Sequence, residues 1–202
     1  MATTPGEFRL DGAIAAAGFA SGDRIVIGMW DASPIGPFVD VMWAEADGWR
    51  TLFVPSASVA AFVTSIYHFD AVEIDETLAV HRDRQRLSAS WGSATLEWTL
   101  GRSVPFPPRP SWIARRVEGP IARAVMGVEI IGVSPTGVAE RYEAHRLRRI
   151  TGGWAVVGGH DLGALGPPLP ACGFGFSEPP PFASITEITT HVSDPDGVIV
   201  FR

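Results

Sequence analysis

Short apolar stretches separated by turn residues run along the whole chain, and this rhythm is typical of a β-rich protein. The clearest unit is a hairpin in which residues 38–46 and 49–54 flank an Asp-Gly pair, a favoured two-residue type I′ turn. This pairing places Glu45 opposite Arg50. Directly opposed charges of opposite sign stabilise a hairpin by about 0.2–1 kcal/mol, so the pair supports the register.

Both faces of this predicted hairpin are largely apolar. One face carries Val39, Val41, Trp43, Leu52 and Val54. The other face carries Phe38, Asp40, Met42, Ala44 and Phe53. Strands that are apolar on both faces are usually covered on both sides. We therefore expect a filled barrel interior on one side of the hairpin and a helix on the other.

The remaining strands follow from further apolar or alternating stretches. These stretches cover residues 24–30, 72–80, 87–91, 93–100, 128–133, 138–150, 154–158, 184–192 and 198–201. A Thr-Gly-Gly segment at 151–153 predicts the turn of a long hairpin. The glycine- and proline-rich stretch 163–182 predicts a long loop, and loops of this length are usually functional or disordered.

Helical periodicity is clearest over residues 59–67, where apolar side chains form one stripe over three turns. Ser56 or Ser58 is the expected N-cap. A second, short helix is predicted over 121–126, between a proline and a glycine. The sequence therefore predicts a single domain, 1–202, that is mainly β with a few helices. Its expected architecture is a closed or nearly closed antiparallel β-barrel with one or two helices packed outside.

Composition narrows the function classes. The chain contains no lysine, so all sixteen basic side chains are arginine. Schiff-base and general-base mechanisms that need a lysine amine are excluded, because the arginine guanidinium stays protonated. Charged residues make up only 19% of the chain, which favours extensive burial, an internal cavity or a self-association surface.

Charge and residue usage also indicate location and partners. A net charge of −6 argues against nucleic-acid binding. No apolar run is long enough to cross a bilayer, and no signal peptide is recognised, so no membrane association is expected. The single cysteine, Cys172, excludes an intrachain disulfide and suggests the cytoplasm. The five histidines are scattered without ligand spacing, so neither a metal nor a cofactor is expected.

The strand over 138–147 is the richest in polar side chains. Neither of its faces is cleanly apolar, because Glu140 shares one face with Tyr142 while Arg141, Glu143 and His145 share the other. The simpler interpretation is a solvated edge strand. The alternative is a site in which His145 and Glu143 move protons.

A second candidate acid–base pair is His160 and Asp161, which follow two glycines at the end of a strand. A plain turn with a polar tip is the simpler interpretation. Asp40 either reaches water or an arginine at the start of its strand, or is desolvated and acts as an acid with a raised pKa. The residues predicted to bind a ligand are Asp40, Trp43, Arg115, Arg116, Arg141 and Tyr142.

In residues 33–43, Gly36-Pro37-Phe38 leads into an apolar strand with Asp40 near its middle. This segment resembles an early strand of the acetoacetate decarboxylase-like family. The resemblance implies a closed, cone-like β-barrel with an apolar interior cavity. The family's reaction uses a Schiff-base lysine, which this chain does not contain. The resemblance therefore implies the fold without the decarboxylase activity.

Three functional hypotheses follow. The first is a barrel that binds a small, largely apolar or carboxylated molecule. The second is a lysine-independent lyase, isomerase or hydrolase that uses histidine and carboxylate groups. The third is a homo-oligomeric interaction protein, with a homodimer as the assembly to test.

Overall fold

The computed structural model describes residues 6–105 and 130–200. Within these residues the chain forms thirteen strands and one helix, which confirms the mainly-β class. In chain order the elements are β1 (Gly6–Phe19), β2 (Arg24–Ala32), β3 (Phe38–Ala44), β4 (Arg50–Val54), α1 (Ala57–Thr64), β5 (Ala71–Ile74), β6 (Ala79–Arg82), β7 (Arg86–Trp91), β8 (Ala94–Pro105), β9 (Ile130–Val133), β10 (Ala139–Val157), β11 (His160–Asp161), β12 (Leu165–Gly166) and β13 (Ser184–Asp194).

All the strands belong to one sheet. Its main order is β5-β4-β3-β2-β1-β13-β10-β8-β7-β6, with β9 and β11 paired to β10 and β12 paired to β1. The pairing is antiparallel except between β4 and β5, which are parallel and joined through α1. The sheet is an open half-barrel, so the predicted closure is wrong. Closure would require β5 and β6 to pair, and these four-residue edge strands do not pair with each other.

The two faces of the sheet carry the two larger cores, and a smaller third cluster forms around Cys172 and Phe174. On the first face, the strands from β1 to β4 pack against β7, β8 and the end of β10, around Trp91 and Trp98. On the second face, β1 to β4, β10 and β13 pack against α1 around Phe38 and Phe62. The β3–β4 hairpin contributes to both cores, as its two apolar faces predict.

The predicted register of that hairpin is wrong by one residue. Ala44 lies opposite Arg50 and Val41 lies opposite Phe53, while Glu45 receives a hydrogen bond from Gly48. The loop therefore has three residues, with Gly48 in the left-handed region at φ +96°. Because side chains alternate along a strand, the shift moves Phe53 to the face of Val41 and moves Leu52 to the face of Asp40.

The predicted hairpin turn at 151–153 is also wrong, because β10 runs through it as one strand of nineteen residues. Gly153 does not form a turn. It allows the backbone of β10 to approach the backbone of β8 closely. A Cβ atom at Gly153, where φ is +148°, would lie 2.3 Å from the carbonyl oxygen of Glu97 on β8. Register shifts between Arg148 and Gly152 mark the irregularity within the strand.

Replacement of Gly153 by alanine should therefore destabilise the protein by about 1–3 kcal/mol, the usual range for forced overpacking. The matched control is Gly152→Ala, because a Cβ at Gly152 would meet nothing within 4 Å. Urea denaturation of both variants measures the effect. Equal stability of the two variants would contradict the close approach of β10 to β8.

Three further strands differ from the predicted ones. The alanine-rich strand β1 was not predicted, although it lies at the centre of the sheet. The strand predicted over 72–80 is divided into β5 and β6, and residues 198–200 do not form the predicted final strand. Instead, the Asp194 carboxylate accepts hydrogen bonds from the backbone N–H groups of Val198 and Ile199.

The predicted helix is present as α1, but it ends at Thr64, so Ile66 and Tyr67 of the predicted stripe lie beyond it. The Ser56 side chain accepts a hydrogen bond from the Val59 backbone N–H as the N-cap. The short helix predicted over 121–126 lies outside the described residues. Among the residues that are described, no helix is long and apolar enough to span a membrane.

Candidate functional site

A cavity of about 130 Å³ lies on the face of the sheet that α1 covers. Side chains of β1, β2, β3, β10 and β13 form its floor, and the loop between β12 and β13 forms its outer wall. Most of the lining is apolar. The polar lining side chains are Trp30, Asp40, Tyr67, Tyr142, Cys172, Ser177, Glu178, Ser184 and Thr186.

Asp40 is the most deeply buried of these groups, with no exposed surface. The indole Nε1 of Trp30 donates a hydrogen bond of 3.0 Å to Asp40 Oδ1, and Oδ2 has no partner among the described residues. Desolvation raises the pKa of Asp40 to about 7, and the Trp30 hydrogen bond opposes the shift only in part. The burial of Asp40 contradicts the simpler interpretation, in which this carboxyl reaches water or an arginine.

Gly28 creates the space that Asp40 occupies. It lies directly opposite Asp40 in the β2–β3 pairing. A Cβ atom at Gly28 would lie 2.3 Å from Asp40 Oδ1 and 2.8 Å from Trp30 Nε1. Any larger residue at this position would therefore displace the carboxyl group.

A second buried carboxyl belongs to Glu140, which is 1% exposed. Its Oε2 accepts hydrogen bonds from the hydroxyls of Tyr67 at 2.6 Å and Tyr142 at 3.1 Å, and the two hydroxyls are 2.6 Å apart. Burial raises the pKa of Glu140 to about 7, against the effect of the two hydrogen bonds. Burial, followed by the nearby Glu140 charge, also raises the pKa values of both tyrosines well above their usual range.

The two carboxyls lie beside adjoining spaces. Asp40, Trp30, Met42 and Tyr67 line both the main cavity and a smaller cavity of about 20 Å³, and Glu140 lines the smaller one. Tyr67 therefore connects the Glu140 carboxyl to the main cavity. Tyr142, which also lines the main cavity, provides a second connection.

Several buried polar atoms on this face lack hydrogen-bond partners among the described residues. They are Asp40 Oδ2, Glu140 Oε1, and the hydroxyls of Ser184, Thr186 and Thr190. Buried polar groups in folded proteins nearly always have partners, because an unpaired one costs about 1–3 kcal/mol. Asp40, Ser184 and Thr186 line the main cavity, and Glu140 and Thr190 line the smaller one, so the unpaired atoms gather around the two adjoining cavities.

The loop between β12 and β13 is held against the cavity by aromatic contacts and hydrogen bonds. Phe176 stacks on Tyr142 with the ring centroids 5.1 Å apart, and Arg50 donates a 2.8 Å hydrogen bond to the Gly173 carbonyl. The Glu178 carboxylate accepts hydrogen bonds from the backbone N–H groups of Cys172 and Gly173. Burial raises the pKa of the Cys172 thiol to about 12, so this thiol is not a nucleophile at neutral pH.

Of the six predicted ligand-binding residues, Asp40 and Tyr142 line the cavity. Trp43 points to the opposite face, where it stacks on Phe53 and donates a 2.8 Å hydrogen bond to Asp23. Arg141 contacts Glu143 at 2.6 Å on the other side of β10 from the cavity. Arg115 and Arg116 lie outside the described residues.

The predicted acid–base residues do not converge on the cavity. His145 is exposed and contacts the Thr189 hydroxyl at 2.8 Å, while Glu143 lies 3.5 Å from His191. The strand that carries them is not the expected solvated edge, because β10 pairs with both β13 and β8.

His160 and Asp161 are exposed beyond a two-residue Gly-Gly turn, as the plain-turn interpretation predicts. The Asp161 carboxylate accepts a hydrogen bond from the backbone N–H of Gly163. No group of three or more histidine, cysteine or acidic side chains among the described residues has the arrangement of a metal site.

The sequence interpretation did not select Tyr67, Glu140 or Trp30 as site residues. The alternation along β10 placed Glu140 and Tyr142 on one face, and that shared face was the available signal. The apolar spacing over residues 59–67 predicts that Tyr67 belongs to the apolar stripe of the helix. Its contact with Glu140 joins residues 73 positions apart, which local patterns do not reveal.

Comparisons of this chain with protein-family models, curated proteins and solved structures find no match. The resemblance of residues 33–43 to the acetoacetate decarboxylase-like family therefore stays a prediction. The candidate site rests on its own geometry, which combines two buried carboxyls, two tyrosines and an apolar cavity.

Proposed function

We propose that the protein binds a small, neutral, largely apolar molecule in the cavity, with a polar group of the ligand facing Asp40. The observation that carries this proposal is the unpaired Oδ2 atom of a fully buried Asp40 beside an apolar space. A ligand hydroxyl or carbonyl would pair with this carboxyl and remove the cost of leaving it unpaired. The apolar wall would supply most of the binding free energy.

The size of the cavity limits the ligand. Its volume is about 130 Å³. An engineered apolar protein cavity of about 150 Å³ accommodates benzene, so the ligand should have roughly one six-membered ring.

The charge of the lining favours a neutral ligand over a carboxylated one. Asp40 and Glu178 line the main cavity, and Glu140 lies behind the two tyrosines. None of the described lining residues is an arginine or a histidine. A ligand carboxylate would be desolvated without a cationic partner, which is unfavourable.

The test is isothermal titration with three probes of similar size, namely neutral phenol, anionic benzoate and cationic benzylamine. Phenol should bind, and benzoate should not. Ala144 lines the cavity, so Ala144→Leu should fill it and weaken phenol binding by about tenfold or more, or at least 1.4 kcal/mol. Ala139→Leu is the matched control, because Ala139 lies on the same strand and points away from the cavity.

Three results would contradict the proposal. The first is an absence of phenol binding by the wild-type protein, and the second is equal phenol binding by the two leucine variants. The third is phenol binding weaker than the binding of benzoate or benzylamine. Circular dichroism of each variant should accompany the titration, so that a loss of binding is compared only between folded proteins.

A further inference from the structure

We infer that the cavity catalyses proton transfer next to the carbonyl group of a bound ketone, with Asp40 as the base and the hydrogen-bonded set of Tyr67, Tyr142 and Glu140 as the acid. The reaction class is the isomerisation of an unsaturated ketone through its enol. This inference rests on the proposed function, because the ketone must first occupy the cavity.

Geometry provides the first support. Asp40, Tyr67 and Tyr142 all line the same cavity, so a ligand bound there lies beside the base and both tyrosines. The two tyrosine hydroxyls converge on one carboxyl, since both lie within hydrogen-bond distance of Glu140 Oε2 and 2.6 Å from each other. A protonated Glu140 donates to one of these hydroxyls and leaves a tyrosine proton for the ligand. Most of the lining is apolar, and hydrogen bonds to a developing enolate are stronger in such surroundings than in bulk water.

The proton balance closes without a co-reactant. The ionised Asp40 carboxylate removes a proton from the carbon beside the carbonyl, and the C–H electron pair becomes the carbon–carbon double bond of the enol. The carbonyl oxygen receives a proton from a tyrosine hydroxyl. The protonated Glu140 then gives its proton to that tyrosine oxygen and becomes ionised. Asp40 then returns its proton to the distal carbon of the conjugated system, the enol O–H proton returns to Glu140 through the tyrosine, and the double bond has moved.

The required ionisation states are compatible with the site. Asp40 must be ionised while Glu140 is protonated. Burial raises the pKa values of both groups to about 7, so the site can hold a single negative charge at neutral pH. Ketosteroid isomerase uses a comparable set of groups, in which a carboxylate is the base and a tyrosine and a neutral carboxylic acid stabilise the enolate. None of these groups is a lysine, in agreement with the composition of the chain.

The experiment uses cyclohex-3-enone as the substrate and proton NMR to follow its conversion to the conjugated cyclohex-2-enone. Wild-type protein should accelerate the conversion above the buffer rate, and in deuterium oxide any deuterium that enters the product should lie at the distal carbon, to which Asp40 returns the proton. Asp40→Asn should reduce the rate by about 10²–10⁴-fold, the usual contribution of a general base. Tyr67→Phe and Tyr142→Phe together should reduce it by about 10²–10³-fold or more.

Asp31→Asn is the matched control, because Asp31 is exposed at the end of β2 and should leave the rate unchanged. Phenol binding is measured on every variant, which separates loss of chemistry from loss of the fold or of the cavity. Wild-type protein that binds phenol without accelerating the conversion would overturn this inference and leave the proposed function standing. An Asp40→Asn protein that converts the ketone at the wild-type rate would also overturn it. Absence of phenol binding would end both proposals.

Discussion

The free energy of unfolding should fall by about 4 kcal/mol between about pH 4 and pH 7 through Asp40 alone. The pKa of Asp40 rises from 3.8 in the unfolded chain to about 7 in the folded protein. Across this interval the unfolded chain loses the proton while the folded chain retains it, so rising pH favours unfolding. Below the interval both states are protonated, and the stability is fully present. Glu140, whose pKa is also raised to about 7, acts in the same direction.

Asp40→Asn should remove the Asp40 share of this pH dependence, because the amide does not ionise. Urea denaturation at a series of pH values measures it, with Asp31→Asn as an exposed control that should follow the wild-type curve. Other carboxyls, such as Asp70 and Asp83, have lowered pKa values and stabilise the fold above their own, more acidic range. If the wild-type and Asp40→Asn curves had the same shape, Asp40 would not be the buried acid described here.

Phe62→Ala should destabilise the protein by about 3–5 kcal/mol, the usual cost of removing a buried aromatic side chain. Phe62 is 1% exposed and anchors α1 on the sheet, where its ring meets the edge of Phe38 at a centroid distance of 5.9 Å. Because Tyr67 follows α1 closely, loosening the helix should also weaken phenol binding.

The control for that variant is Trp49→Ala, since Trp49 is 51% exposed at the β3–β4 loop and little buried area is lost. Urea denaturation measures both changes. A loss of less than about 1 kcal/mol in Phe62→Ala would contradict the packing of α1 on the sheet.

The local features of the fold were predictable from the sequence because they depend on neighbouring residues. The cap at Ser56, the helix that follows it and the two apolar faces of β3 all follow from short patterns. The hairpin register was not predictable with the same rules, since an Asp-Gly pair is compatible with both two- and three-residue loops. Gly48 adopts the left-handed conformation of the longer loop.

The candidate site was only partly predictable, because its residues come from distant parts of the chain. Asp40 was predictable as a site residue because it is the one acid on an apolar strand face. Tyr142 was predictable because it shares a strand face with Glu140. The hydrogen bond between Tyr67 and Glu140 depends on the packing of the segment after α1 against β10. No local sequence pattern predicts that contact. His145 with Glu143 and His160 with Asp161 have side chains suited to catalysis, but both pairs lie away from the cavity. The sequence shows the chemical type of a residue and does not show its distance from the cavity.

NMR of methionine methyl groups tests the central claim, which is that the cavity beside Asp40 binds a small neutral molecule. Met42 lines the cavity, and Met29 packs in the core on the opposite face of the sheet, so one protein contains both the probe and its control. During a phenol titration the Met42 methyl signal should shift and saturate, with nuclear Overhauser contacts to the phenol ring, while the Met29 signal stays in place. An unchanged Met42 signal, or equal and unsaturated shifts of both methyl groups, would contradict the account.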